Sequence, residues 1–177
     1  MQPADVDETL PPGPVADAAA ALALRKARAV AARSGDALVL GADTLVVLDG
    51  QALGKPRDAE EARSMLRRLR GRRHEVVTGV AVVDGATGRA ATLCVVSRVR
   101  LAPLPDAEID DYVRSGSPLD KAGAYAIQDR GGALVAALDG SHSNVVGLPL
   151  AETVRLLADF GVVLSAPPEP PGPGAAA

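Results

Sequence analysis

The sequence is poor in aromatic residues and in cysteine. Its 177 residues include no tryptophan, two tyrosines and one phenylalanine, so a hydrophobic core must be built largely from Ala, Val and Leu. Cys94 is the only cysteine, which excludes an internal disulfide and leaves no Cys/His spacing for a zinc site. A chain of this length can bury a core without cross-links, so we expect one domain of packed helix and sheet layers.

Long hydrophobic runs and a strong charge imbalance are also missing. The 19 Lys and Arg residues nearly balance the 22 Asp and Glu residues, which argues against a binder of nucleic acid or anionic membrane. No apolar run approaches the ~20 residues of a membrane span, and no signal-peptide pattern is present. Neither GxGxxG nor GxxxxGK[ST] occurs, which argues against a dinucleotide fold or a P-loop. We therefore expect a cytoplasmic protein with no nucleic-acid or membrane partner.

The apolar pattern predicts an α/β domain over residues 1–164, with a mixed central sheet flanked by helices and a cleft at the sheet edge. Helices are predicted over residues 18–33, 58–71, 106–116 and 150–160. Strands are predicted over residues 37–48 and in two β-rich runs around the turn at residues 84–88. The Pro/Gly/Ala-rich residues 165–177 are predicted to form a disordered tail.

Residues 41–56, GADTLVVLDGQALGKP, read as a hairpin that brings an aspartate near a lysine. A three-residue turn with Gly50 in the left-handed region would pair Asp43 with Lys55. A two-residue turn would instead set Thr44 opposite Lys55, with Asp43 on the diagonal. Either register allows two interpretations: a salt bridge at the end of a sheet, or an aspartate that holds water or metal beside a phosphate-neutralising lysine.

Two further segments have both a structural and a functional interpretation. Residues 5–9, DVDET, place three carboxylates within four residues, which is typical of a solvated acidic loop but also supplies the oxygen ligands that Mg²⁺ takes. Residues 115–132 form a long Gly-rich polar stretch that is either a binding loop or an irregular crossing.

Seven segments of the chain follow one another in the order and spacing of the Maf family, which the sequence resembles over residues 3–162. They are DVDET, ALRKARAVA, GADTLVVLDG, LGKP, RxHEVVTGVAVV, DKAGAYAIQ and GSHSNVVGLPL. The resemblance implies an α/β cleft related to the inosine triphosphate pyrophosphatases. It implies a nucleoside triphosphate pyrophosphatase that uses a divalent cation, Mg²⁺ or Mn²⁺, and that forms a homodimer.

The resemblance also assigns roles to individual residues. The proton-accepting aspartate of the family falls on Asp43, and its phosphate- and metal-handling residues fall on Glu8, Lys26 and Lys55, with the metal held by Glu8 and Asp43.

Thr44 and Gln128 match the positions associated with base choice in the branch of the family that acts on dTTP and UTP. A glutamine amide both donates and accepts hydrogen bonds, which suits the edge of uracil or thymine. Two other functions stay open: a non-catalytic nucleotide-binding regulator of cell division, linked to septum formation, and a pyrophosphatase for deaminated purines such as inosine triphosphate.

The chain departs from the family pattern before residue 5. Family members open with a strand and an S-x-S-x-R motif that grips the triphosphate, some two dozen residues upstream of DVDET, and this segment is missing here. Losing a strand would leave unpaired backbone groups at an apolar edge. We therefore expect that Met1 lies inside a longer reading frame, the alternative being a shortened protein that binds nucleotide without turnover.

Overall fold

The computed structural model describes residue 4 and residues 6–163, apart from the side chains of residues 129 and 130. Asp5 and the predicted tail over residues 165–177 lie outside this range. The helices are α1 (Val15–Ala31), α2 (Ala59–Leu69), α3 (Asp106–Arg114), α4 (His142–Val146) and α5 (Leu150–Ala158). The strands are β1 (Leu38–Leu48), β2 (Gln51–Leu53), β3 (Arg73–Asp84), β4 (Ala90–Leu101) and β5 (Val135–Asp139). No helix within these described residues is long and apolar enough to span a membrane.

The five strands form one sheet in the order β2-β1-β3-β4-β5. The α/β domain and the helices flanking its sheet confirm the sequence-based prediction, and the side chain of Asp58 caps α2 by accepting from Glu61 N at 2.8 Å. The sequence pattern predicts a mixed sheet, but every hydrogen-bonded pair of described strands is antiparallel. The chain leaves β2, crosses β1 through α2 and enters β3 in the same direction as β2, so β3 runs opposite to its neighbour β1.

Helix α1 packs closely on the sheet because both surfaces lack side-chain bulk. Ala19, Ala23 and Ala27 are at most 1% exposed and are spaced four residues apart, so they share one face of the helix. Gly41 of β1 and Gly79 of β3 lie beneath them. A Cβ at Gly79 would lie 2.3 Å from the backbone carbonyl of Ala19, and one at Gly41 would lie 2.7 Å from the carbonyl oxygen of Ala23. Only glycine at these two positions permits the observed separation.

The larger hydrophobic core lies on the opposite face of the sheet. Helices α2 and α3 cover that face with apolar side chains, against strand residues that alternate with those facing α1. Fully or nearly fully buried members of this core include Leu48, Leu66, Leu69, Leu101 and Ile109. The sheet is thus sandwiched between an alanine-lined helix and a leucine-rich layer.

A buried histidine and tyrosine pair within this second core. His74 and Tyr125 are 3% and 5% exposed, and His74 Nε2 lies 2.7 Å from the Tyr125 hydroxyl oxygen. Burial lowers the pKa of His74 from 6.5 to about 4. The imidazole is therefore neutral in the folded protein at neutral pH.

We expect Gly79→Ala to destabilise the protein by roughly 2 to 4 kcal/mol, because a Cβ at this position collides with the α1 backbone. The free energy of unfolding in urea measures this effect. Gly54→Ala is the matched control, since its Cβ would meet no atom within 4 Å. Equal stability of the two variants would contradict the close packing of α1.

The free energy of unfolding should fall as the pH drops from 6.5 towards 4, because the unfolded state then binds a proton on His74 that the folded state does not. The shift in the pKa of His74 accounts for a loss of about 3 kcal/mol in the free energy of unfolding once the pH is below both pKa values. Urea titrations across that pH range should show that the unfolding free energy of His74→Gln depends less steeply on pH than that of the wild type. The exposed His142 provides the control variant His142→Gln, which also removes one histidine. An unchanged slope in His74→Gln would count against this assignment.

Candidate active site

Two carboxylates converge on one ammonium group at the junction of α1 and β1. Lys26 Nζ lies 2.6 Å from Asp43 Oδ1 and 2.6 Å from Glu8 Oε1. The side chains of Lys26 and Asp43 are 20% and 12% exposed, whereas that of Glu8 is 59% exposed. The glycine at position 41 brings α1 close to β1, which is what allows Lys26 to reach Asp43.

The charges of this cluster shift one another's protonation. Burial raises the pKa of the Asp43 carboxyl above its ordinary value, although the hydrogen bond from Lys26 opposes this effect. The hydrogen bond from Lys26 lowers the pKa of Glu8. Burial acts to lower the pKa of Lys26, but its hydrogen bonds to Asp43 and Glu8 outweigh burial and raise it. Asp43 is therefore a stronger base than an ordinary aspartate and lies beside a cation that stays charged.

Helix α1 also orders the acidic segment that carries Glu8. The guanidinium of Arg25 donates to the backbone carbonyl oxygens of Asp7 and Thr9. The Asp7 carboxylate in turn accepts from Thr9 N at 2.8 Å and from Thr9 Oγ1 at 2.6 Å. Adjacent residues of α1 thus hold the backbone of this segment and the Glu8 carboxylate.

The hairpin joins β1 to β2 through a two-residue turn, which is the second of the two registers that the sequence allows. Asp49 and Gly50 both have positive φ, 52° and 77°, and the register pairs Val47 with Ala52. Strand pairing stops at Leu53, so Lys55 lies beyond the end of β2. The shorter turn is possible because Asp49 adopts the left-handed conformation that this turn requires.

Lys55 lies near Asp43 but does not pair with it. The positive charge of Lys55 acts to lower the pKa values of Asp43 and Glu8. Within residues 4 and 6–163, the ion pair of Asp43 is with Lys26, so the salt bridge that was one of the two interpretations of the hairpin does not form between Asp43 and Lys55. Lys55 itself is exposed and available to a ligand.

The stretch of β1 that carries Asp43 and Thr44 extends past the end of β2, at the edge of the sheet. A cavity of about 340 Å³ opens there on the α1 side, with Glu8, Lys26 and Lys55 among its lining residues. The carboxylates of Glu8 and Asp43 and the ammonium groups of Lys26 and Lys55, all predicted from the sequence, therefore line one cavity.

A second cavity of about 270 Å³ shares Asp43, Thr44 and Lys55 with the first. The long Gly-rich loop forms its far wall through Tyr125 and Gln128, so this loop shapes a cavity rather than merely crossing the surface. Gln128 is exposed at the wall, where its amide can reach a ligand. All six residues predicted for the site thus line one or both cavities.

Several residues around the second cavity were given no individual role from the sequence. Asp120 and Lys121 line it and form an ion pair with each other at 2.7 Å. Behind Thr44 lie Thr78 and Asn144, both 0% exposed and joined to it through hydrogen bonds. Asp120 and Lys121 could have been predicted as site residues, because they lie within the Gly-rich loop. Thr78 and Asn144 are 66 residues apart and give no local pattern.

The donor set suits a divalent cation that a substrate helps to bind. No group of three or more His, Cys, Asp or Glu side chains within the described residues could hold a metal alone. Glu8 and Asp43 nevertheless point their carboxylates at one common cation, the Lys26 ammonium. Mg²⁺ is often held by one or two carboxylates, with water and phosphate oxygens as its other ligands.

A family model described as Maf-like protein matches residues 1–160. The dTTP/UTP pyrophosphatase of Anaeromyxobacter dehalogenans (strain 2CP-C) is 56% identical over 93% of this chain and 84% of its own length. The dTTP/UTP pyrophosphatase of Myxococcus xanthus is 55% identical over 91% of this chain and 81% of its own length. A solved dITP/XTP pyrophosphatase from Mycobacterium abscessus covers 80% of this chain and 73% of its own at 14% identity, with a TM-score of 0.39, too low to support an argument.

Replacing Lys26 should destabilise the protein, because two carboxylates would then face each other without a counter-charge. We expect Lys26→Met to lower the free energy of unfolding at pH 7 by about 2 kcal/mol, measured by urea titration. The added change Glu8→Gln should recover part of this loss. The exposed ion pair between Lys121 and Asp120 supplies the control, since Lys121→Met should change the free energy of unfolding by less than about 0.5 kcal/mol. Equal effects of the two lysine changes would contradict the central position of Lys26.

Proposed function

Because the chain belongs to the Maf family, we propose that it is a nucleoside triphosphate pyrophosphatase acting on dTTP and UTP. The reaction adds water to the α-phosphorus and breaks the bond to the bridging oxygen, giving a nucleoside monophosphate and diphosphate. The observation that carries this proposal is the convergence of Glu8, Lys26 and Asp43 at a cavity that Lys55 also lines. The relatives named dTTP/UTP pyrophosphatase support the choice of substrate.

Asp43 is the proposed general base. Its Oδ1 accepts from Lys26, and the second carboxylate oxygen would accept the proton of the attacking water. Burial raises the pKa of this carboxyl, which brings its basicity closer to what proton transfer at neutral pH requires. The Lys26 hydrogen bond keeps the carboxylate ionised and fixes its orientation.

Lys26 and Lys55 are the proposed phosphate-neutralising groups. Both line the cavity beside Asp43, and the transition state of phosphoryl transfer is stabilised mainly by positioned positive charge. Glu8 and Asp43 would hold a divalent cation, Mg²⁺ or Mn²⁺, together with water and phosphate oxygens. When bound, the cation supplies further neutralisation of phosphate charge.

The second cavity is the proposed site for the base. Its volume of about 270 Å³ gives room for a nucleobase. Thr44 and Gln128 supply a hydroxyl and an amide there. The homodimer and the cytoplasmic location stay predictions, and light scattering after size-exclusion chromatography would measure the first of them.

The direct test is release of diphosphate from dTTP and UTP in the presence of Mg²⁺ or Mn²⁺. Asp43→Asn should lower kcat by at least about 10²-fold, because it removes the proton acceptor while keeping the shape of the side chain. The melting temperature should stay close to that of the wild type.

Asp49→Asn is the matched control, because Asp49 lies at the turn of the same hairpin and pairs with Arg72 away from the cavity. This variant should keep wild-type turnover. Retained activity in Asp43→Asn would overturn the role of Asp43. Binding of dTTP by the wild type without diphosphate release would instead favour the regulatory nucleotide-binding function, and faster hydrolysis of inosine triphosphate would favour the deaminated-purine function.

A further inference from the structure

A buried chain of hydrogen bonds leads away from Thr44 into the protein. Thr44 Oγ1 lies 2.9 Å from Thr78 Oγ1 on the neighbouring strand β3. Thr78 Oγ1 lies 3.0 Å from the backbone carbonyl oxygen of Asn144 in α4. Thr78 and Asn144 are fully buried, so water cannot replace these contacts. Thr44 is therefore the cavity end of a chain whose other members are inaccessible.

Counting protons along this chain fixes the direction of each hydrogen bond. The Asn144 carbonyl oxygen can only accept, so Thr78 must donate its single hydroxyl proton to it. The hydroxyl of Thr78 then has only lone pairs to offer Thr44. Both contacts can be satisfied only if Thr44 donates its own proton to Thr78. The Thr44 oxygen is left with lone pairs for anything else that approaches it.

The far end of the chain is held rigidly. The Asn144 side-chain amide donates to the Val76 carbonyl oxygen at 3.1 Å and to Ser97 Oγ at 3.0 Å. These bonds tie α4 to both β3 and β4, so the Asn144 carbonyl cannot easily turn away from Thr78.

The cavity end of the chain is open to a ligand. Thr44 lines both cavities. A Cβ at Gly147 would lie 3.5 Å from Thr44 Oγ1, in contact with it, so the glycine leaves this oxygen uncovered.

We propose that Thr78 and Asn144 are positioning residues that make Thr44 a hydrogen-bond acceptor for the N3–H of uracil or thymine, and so disfavour cytosine. The proposal rests on the proposed function, since it concerns the base of the same substrate. Uracil and thymine carry a proton on N3, whereas N3 of cytosine is itself an acceptor. For cytosine to bind in the same orientation, Thr44 must turn its proton into the cavity and give up its bond to Thr78.

The expected preference is the cost of one broken buried hydrogen bond, roughly fivefold to tenfold in affinity. A site built to bind an N–H group rejects a base that lacks it, because both acceptors then face each other. Removing the Thr78 hydroxyl frees the Thr44 proton and should abolish this part of the preference.

The test compares Thr78→Val and Thr78→Ser with the wild type. We expect the ratio of kcat/KM for UTP to that for CTP to fall roughly fivefold in Thr78→Val and to be retained in Thr78→Ser. A ratio of this kind does not depend on the fraction of folded enzyme, so a general loss of stability cannot imitate the effect. Thr78→Val keeps the side-chain shape, and its melting temperature serves as a separate check on folding.

Dissociation constants for UMP and CMP, measured by calorimetry, repeat the comparison without turnover. The same fall in the UMP to CMP preference is expected in Thr78→Val. If the wild type releases no diphosphate, the proposed function fails while the binding ratios still decide the role of Thr78. An unchanged or increased preference in Thr78→Val would overturn the inference, whether or not the enzyme is active.

Discussion

The separation between α1 and the sheet is the constraint on which the candidate site depends. Alanines on the helix meet glycines on the strands, and a single Cβ at Gly41 or Gly79 would push the helix outwards. At the observed separation, the Lys26 ammonium reaches both carboxylates at 2.6 Å. A larger core side chain would add buried apolar area, but it would also separate the lysine from Asp43. The close packing of α1 on the sheet therefore positions Lys26 as well as forming part of the core.

Strand β1 presents two candidate site residues, Asp43 and Thr44, on opposite faces of the sheet. Side chains alternate along a strand, so Asp43 and Thr44 point to opposite sides of the sheet although they are adjacent in sequence. Asp43 faces α1 and its cation, whereas Thr44 faces the layer that contains Thr78 and Asn144. Because β2 ends at Leu53, the edge of β1 is open at this point and one ligand could contact both side chains. The short partner strand is thus what makes both faces accessible together.

Local patterns in the sequence predicted α1, α2, α3, α5 and the strands β1 to β4, but not α4 or β5, and they predicted long-range contacts poorly. The cap at Asp58 and the two hairpins follow from the spacing of nearby residues. Family resemblance selected the six residues that line the cavities, and hairpin spacing placed Lys55 near Asp43, but neither showed that Asp43 pairs with Lys26. Lys26 approaches from a helix, at a distance set by tertiary packing. The link from Thr78 to Asn144 is likewise invisible before the chain is folded.

The charge of the cluster explains why a site built this way would need a further cation. Glu8 and Asp43 are two negative groups that share one lysine, and the addition of Lys55 brings the formal charge only to neutrality. A triphosphate carries several negative charges into this neutral cavity, where partial burial weakens screening by water. Glu8 and Asp43 repel the phosphates, yet they are the oxygen ligands that would attract a divalent cation. Under the proposed function, a divalent cation bound together with the substrate would offset this repulsion.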